Sequence, residues 1–192
     1  EPFDNEWVQS INVQDGTIKT LTTFNGLQQR LQPSASPDGK SIALMYDADV
    51  QFFDCMTSLG IIPANHVDSK VARITHEMKL FAPRWSNDAK HIFVQRDYGA
   101  YSQIFLLNIK TGKLSQITHA PLNIENYALS PNGEKLVWVG SNAHGAQFLQ
   151  VAQSDGSRVE DLLVVSGAPD DMTLSEVREI SWQTIDYPEK MR

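Results

Sequence analysis

Apolar and polar residues alternate with a period of two along much of this chain, the spacing of strands that cover one face. Glu6 to Val13, Ile18 to Phe24 and Leu107-Asn108-Ile109 show it, and clusters of Gly, Pro, Asn and Asp interrupt it at short intervals. No segment carries convincing helical periodicity. Met172 to Arg178 reads as one helical turn or a loop.

The interruptions repeat. Pro33-Ser34-Ala35-Ser36-Pro37-Asp38-Gly39-Lys40-Ser41-Ile42-Ala43-Leu44 aligns without gaps on Pro83-Arg84-Trp85-Ser86-Asn87-Asp88-Ala89-Lys90-His91-Ile92-Phe93-Val94 and on Tyr127-Ala128-Leu129-Ser130-Pro131-Asn132-Gly133-Glu134-Lys135-Leu136-Val137-Trp138. The central serines, Ser36, Ser86 and Ser130, are 50 and 44 residues apart, and Ile180-Ser181-Trp182-Gln183 is a fainter fourth copy. Each copy reads as a hairpin: Pro presets φ, Asp or Asn tolerates the next turn position, and Gly takes the left-handed conformation before the return strand. Ala89 stands where glycine is wanted, at a cost of about 1 kcal/mol if the backbone is kept. A turn of another type is the alternative there.

A second hairpin recurs in register with the first. Ile11 to Thr22, turning at Asp15-Gly16, and Leu107 to Thr118, turning at Thr111-Gly112, are its clear copies; Val71 to Thr75 and Val151 to Val159, with Asp155-Gly156, are weaker. Two hairpins per period make four short strands, the signature of a β-propeller blade. A β-sandwich with coincidentally similar hairpins is the competing architecture. The reading is therefore an all-β propeller of four-stranded antiparallel blades, with strands A to D running from inside to outside. Strands C (Glu6 to Val13) and D (Ile18 to Phe24) form a partial blade within residues 1–25. Three complete blades follow at about 31–75, 80–118 and 124–165, and a further strand A at Val177 to Thr184 opens another blade within 177–192. Completion within the chain as a compact four-bladed ring, completion between copies, and membership of a larger propeller are all open, the last being preferred.

Composition narrows the partners. Lys and Arg number 16 against 23 Asp and Glu, a net charge of −7. That balance argues against nucleic acid, which needs a clustered basic face. The single cysteine, Cys55, rules out an internal disulfide and a Cys-rich zinc module, and it reads as a buried small residue in the strand-like run Val50 to Met56. No apolar stretch approaches the roughly 20 residues of a transmembrane helix.

Ser36-Pro37-Asp38-Gly39-Lys40, Ser130-Pro131-Asn132-Gly133-Glu134 and the degenerate Trp85-Ser86-Asn87-Asp88-Ala89-Lys90, with their Ile-Thr or Leu-Thr strands, resemble the repeats of TolB-type propellers. Such repeats occur in periplasmic propellers and in the propeller domains of prolyl-oligopeptidase-like peptidases. The resemblance implies a periplasmic or otherwise extracytoplasmic protein, or a domain appended to a hydrolase. It carries over no catalytic residue, because the matching positions are turn and core residues.

The chemistry is correspondingly sparse. A Gly-x-Ser-x-Gly nucleophile elbow is absent, and Ser141-Asn142-Ala143-His144-Gly145 reads as a polar loop. His66, His76, His91, His119 and His144 follow no zinc spacing, and Asp38 and Asp88 read as turn residues. The expectation is a noncatalytic scaffold without metal or cofactor that binds protein or peptide partners. The alternative is a substrate-filtering propeller of a larger serine hydrolase. Recognition should lie in the B-to-C loops, which hold Asp47-Ala48-Asp49, Arg96 to Tyr101 and Gly140 to Gly145. Arg96, Tyr98, Tyr101, Asn142 and His144 are the candidate binding residues, since Tyr and Arg are efficient interface anchors. Thr57 to Asp68, with its apolar Leu59-Gly60-Ile61-Ile62, reads as an insertion lengthening a C-to-D loop.

Overall fold

The computed structural model describes residues 5–24, 31–47, 57–75, 78–167, 173, 175–180, 182–183 and 190–191. Among them the regular structure is entirely β. The hairpin of β1 (Glu6–Ile11) and β2 (Ile18–Phe24) is followed by three four-stranded sheets, each in meander order. The first contains β3 (Ser34–Ala35), β4 (Ser41–Asp47), β5 (Thr57–Pro63) and β6 (Ala72–Arg73); the second β7 (Leu80–Trp85), β8 (His91–Tyr98), β9 (Tyr101–Asn108) and β10 (Leu114–Gln116). The third contains β11 (Asn123–Leu129), β12 (Lys135–Ser141), β13 (Gln147–Gln153) and β14 (Glu160–Ser166), and β15 (Trp182–Gln183) then pairs antiparallel with β16 (Lys190–Met191). These are blades of a partial β-propeller.

Two compact units divide the chain: Glu1–Val94 with Leu106–Leu114, and Gln95–Phe105 with Ser115–Arg192. In the first, Val8, Leu21, Leu44 and Ile62 are buried together, with Phe24, Leu31, Ile42, Tyr46 and Val71 packed around them. Apolar faces of β1–β2 and of β4–β5 thus close on one another, the dominant favourable term for such sheets. In the second unit Ile104, Leu122, Ile124, Tyr127, Leu136 and Trp138 are buried.

The repeated serine turn is held by its own side chains. Ser36 Oγ donates to Asp38 Oδ1 (2.6 Å) and accepts from Ser41 N (3.0 Å), while Lys40 N donates to Asp38 Oδ1 (3.1 Å). Ser130, Asn132 and Lys135 repeat the arrangement, with Ser130 Oγ donating to Asn132 Oδ1 (2.6 Å) and accepting from Lys135 N (2.9 Å). Ser86 likewise donates to Asp88. Gly39, Ala89 and Gly133 have φ of 69°, 53° and 72°. The alanine therefore keeps the left-handed backbone of its two glycine counterparts, rather than adopting another turn.

The outer strand of a blade ends in another repeated device. Ile74 N donates to Leu59 O (2.8 Å) while Thr75 Oγ1 accepts from Leu59 N (2.9 Å); Ile117, Thr118 and Ile104 repeat both bonds, at 2.8 and 2.9 Å. A three-residue turn follows in each case, Leu80 N to Met78 O (2.9 Å) and Leu122 N to Ala120 O (2.8 Å). Its carbonyls are caught from the blade just completed, by the Thr57 hydroxyl in one case and the Gln103 amide in the other.

The next blade then closes over this device. Ser69 N donates to Leu21 O (2.7 Å), a Cβ on Gly112 would lie 3.5 Å from Ile74 O, and one on Gly156 would lie 2.2 Å from Ile117 O. Beyond the third sheet the situation differs: Thr75 and Thr118 are buried, but β14 exposes Leu162, Leu163, Val164 and Val165.

One sequence expectation is corrected. Thr57 to Ile62 does not lengthen a C-to-D loop; it is the third strand of its sheet, β5, pairing Ile42 with Ile62 and Leu44 with Gly60. Its apolar residues are apolar because they are core: Leu59 and Ile62 are fully buried. Val50 to Met56, including Cys55, lies outside the described residues, as do Ala48 and Asp49.

Two glycine substitutions should separate local strain from blade contact. Gly156→Ala, at φ 85° and 2.2 Å from a carbonyl oxygen, should lose about 3 kcal/mol or more. Gly39→Ala, at φ 69° in open space, should lose only about 1 kcal/mol. Ala89→Gly should stabilise by about 0.5–1 kcal/mol, because relief of the left-handed alanine outweighs the added freedom of the unfolded chain. Urea unfolding measures all three, and equal losses for the first two would contradict the contact at Gly156.

Candidate binding site on the hairpin loops

The β8–β9 connection is a two-residue turn, Gly99-Ala100, with Gly99 at φ 63°. Gly with positive φ at the first central position is the II′ pattern, whose twist matches that of paired strands. Side chains on alternate residues of a strand share a face, so Arg96 and Tyr98 project together. The Arg96 guanidinium lies 5.8 Å from the centre of the Phe105 ring and 6.0 Å from that of Tyr98, and the two rings meet edge to face at 5.8 Å. Phe105 is buried, whereas Tyr98 is 48% exposed.

The base of this hairpin is pinned. Gln95 Nε2 donates to Ser102 Oγ (2.8 Å) and to Ile124 O (2.5 Å), and Ser102 N donates to Asn123 Oδ1 (3.1 Å). The exposed tip is therefore carried on a fixed stem, as recognition loops commonly are.

Of the other candidates, Tyr101 is half-buried at the start of β9, and His144 is exposed in the β12–β13 turn. Asn142 shapes that turn: its Oδ1 accepts from His144 N and Ala146 N, each at 3.0 Å, and Gly145 follows at φ 79°. No ring contact or hydrogen bond among the described residues joins Asn142 or His144 to Arg96. The structure brings together Arg96 and Tyr98 and adds Phe105, which the sequence reading did not single out. Its place under Arg96 depends on strand register across β8 and β9, which alternation within one strand does not reveal.

Ser86, Asp88 and His91 meet in the serine turn with Asn108 behind them. Ser86 donates to Asp88, His91 Nδ1 lies 2.8 Å from Asp88 Oδ2, and His91 Nε2 lies 3.1 Å from Asn108 Nδ2. The carboxylate stands between the hydroxyl and the imidazole, so the histidine is not placed to take the serine proton as a nucleophilic triad requires. Asn108 Oδ1 already accepts from Lys110 N and Thr111 N, each at 3.0 Å, so it is the asparagine's amide nitrogen that faces His91 Nε2. Partial burial raises the Asp88 pKa, but hydrogen bonds from Ser86, Lys90 N and His91 together with the histidine's charge lower it further, to about 2. No group of three or more His, Cys, Asp or Glu among the described residues is placed to hold a metal ion.

Similarity to known proteins lies in the fold. No protein-family description and no curated protein matches the sequence. Among solved structures, TolB from Acinetobacter baumannii superposes with a TM-score of 0.67 at 20% identity, over 83% of this chain and 38% of that one. The AtxE2 isopeptidase, in its S527A variant with Astexin3-dC4 bound, matches at 0.61 and 12% identity, over 95% of this chain and 28% of its own. Puromycin hydrolase matches at 0.59 and 15% identity, over 77% and 24%. The chain is thus similar to TolB-type propellers and spans well under half the length of these structures.

The depressed Asp88 carboxyl has a consequence for acid stability. A carboxyl whose pKa is about 2 when folded, below its ordinary 3.8, stabilises above about pH 4, and that contribution is lost as pH falls towards 2. Solvent screening keeps the effect small at this half-exposed site. Asp88→Asn, which places here the residue used at Asn132, should fold and lose less stability between about pH 4 and 2 than the parent. Parallel pH slopes in thermal unfolding would contradict it.

Proposed function

We propose that this chain is part of a noncatalytic, extracytoplasmic β-propeller that binds protein or peptide partners through its B-to-C hairpin loops. The proposed organisation is a single propeller domain with blades at about 31–75, 80–118 and 124–165 and partial blades on either side. Tyr98 carries the reading: a large, half-exposed aromatic at a hairpin tip, backed by Arg96 and Phe105 on a pinned stem. Tyr and Arg in such settings dominate binding at many interfaces. Tyr101, Asn142 and His144 complete the proposed loop surface. The second reading, a propeller that screens substrates for an attached serine hydrolase, uses the same loops.

The test begins with a partner captured by photo-crosslinking from position 101 and then titrated against the purified protein. Tyr98→Ala and Arg96→Ala should each weaken that complex by roughly tenfold or more, while His144→Ala should weaken it less. A partner indifferent to all three substitutions would sink the loop assignment. Ester or peptide turnover that persists through purification would sink the noncatalytic reading.

A further inference from the structure

Resting on that reading of the loops, the geometry points to a specific ligand chemistry: we propose that Arg96 receives an acidic side chain, Asp or Glu, from an extended segment of the bound protein or peptide. The guanidinium lies beside two rings that touch each other, 5.8 Å from the centre of Phe105 and 6.0 Å from that of Tyr98, and among the described residues it forms no ion pair or hydrogen bond. A position over aromatic rings occupies no N–H donor of the guanidinium, whose planar fork matches a carboxylate with two parallel hydrogen bonds.

The nearest carboxylate in sequence, Asp97, does not satisfy it. Alternation along β8 directs Asp97 to the opposite face from Arg96 and Tyr98. The ring pair also limits the conformational freedom that an exposed arginine loses on binding, so more of the interaction is retained as affinity. A side-chain carboxylate is favoured over a chain terminus because terminal carboxylates are captured by nests of successive backbone N–H groups, whereas Arg96 to Tyr98 lie in an extended strand. Tyr98 lies beside the guanidinium and offers apolar surface to the residues flanking the acid.

The test uses the whole chain and short peptides blocked at both ends: a Glu-containing peptide with tyrosine spacers, its Gln counterpart, its Lys counterpart, and the Gln peptide with a free terminal carboxylate. Binding is followed by the Arg96 Nε–H resonance and by fluorescence anisotropy at low and high salt. The Glu peptide should bind at least tenfold more tightly than the Gln peptide, shift the Arg96 resonance, and weaken with salt. Arg96→Gln should erase the preference. Arg96→Lys, which keeps the charge and loses the planar fork, should retain only part of it, and unchanged thermal unfolding would show both variants to be folded. Equal binding of Glu and Gln peptides, or a Glu preference that survives Arg96→Gln, overturns the proposal. So does selective binding of the free terminal carboxylate. Peptide binding that is lost in Tyr98→Ala but ignores charge overturns this inference and leaves the loop reading standing, whereas failure of every peptide to bind counts against both.

Discussion

Where one sheet ends and the next begins, the backbone carbonyl of an outer strand is met by the tight outer turn of the following blade. Gly156 lies against Ile117 O, Gly112 lies near Ile74 O, and Ser69 N binds Leu21 O. Two features of the repeat serve this approach. The left-handed glycine lets the turn close without a side chain, and the threonine after each isoleucine finishes its strand with a hydroxyl acceptor, where a continued ladder would occupy the same space. The cost of leaving those buried N–H groups unpaired is what makes the threonine more than a filler.

The same economy commits many polar side chains among the described residues to the backbone framework. Ser36, Asp38, Ser86, Asp88, Ser130 and Asn132 hold turns, Thr57 and Gln103 hold linkers, and Asn142 shapes its own loop. In the proposed binding role, the side chains that meet a ligand are those at hairpin tips that the turns do not use. Arg96 and Tyr98 are in that position, on a stem tied to β11 through Gln95 and Ser102.

Much of the fold was legible because turn residues are read locally. Asp15-Gly16, Asp38-Gly39 and Thr111-Gly112 announce left-handed positions by composition alone, and the alternation around them identifies the strands. The error at Thr57 to Ile62 arose because period and hydrophobicity do not say whether an apolar strand-like run is a core strand or an apolar loop. That the run from Thr57 is a strand of the sheet is decided by its pairing with Ile42 and Leu44. Ala89 marks a related limit: its residue type argues against a left-handed turn, and the surrounding hydrogen bonds of Ser86 and Asp88 maintain one.

The sequence by itself determined the repeat, the four-stranded blade and the residue types at the loop tips, because each follows from spacing and from the φ preferences of Gly, Pro, Asn and Asp. Only the tertiary structure decided which glycine is sterically indispensable, since Gly39 and Gly156 share a positive φ and differ in having Ile117 O beside one of them. It also decided that Arg96 rests on Phe105. Such contacts are set by register and by the distance between chains remote in sequence, quantities that no local pattern encodes.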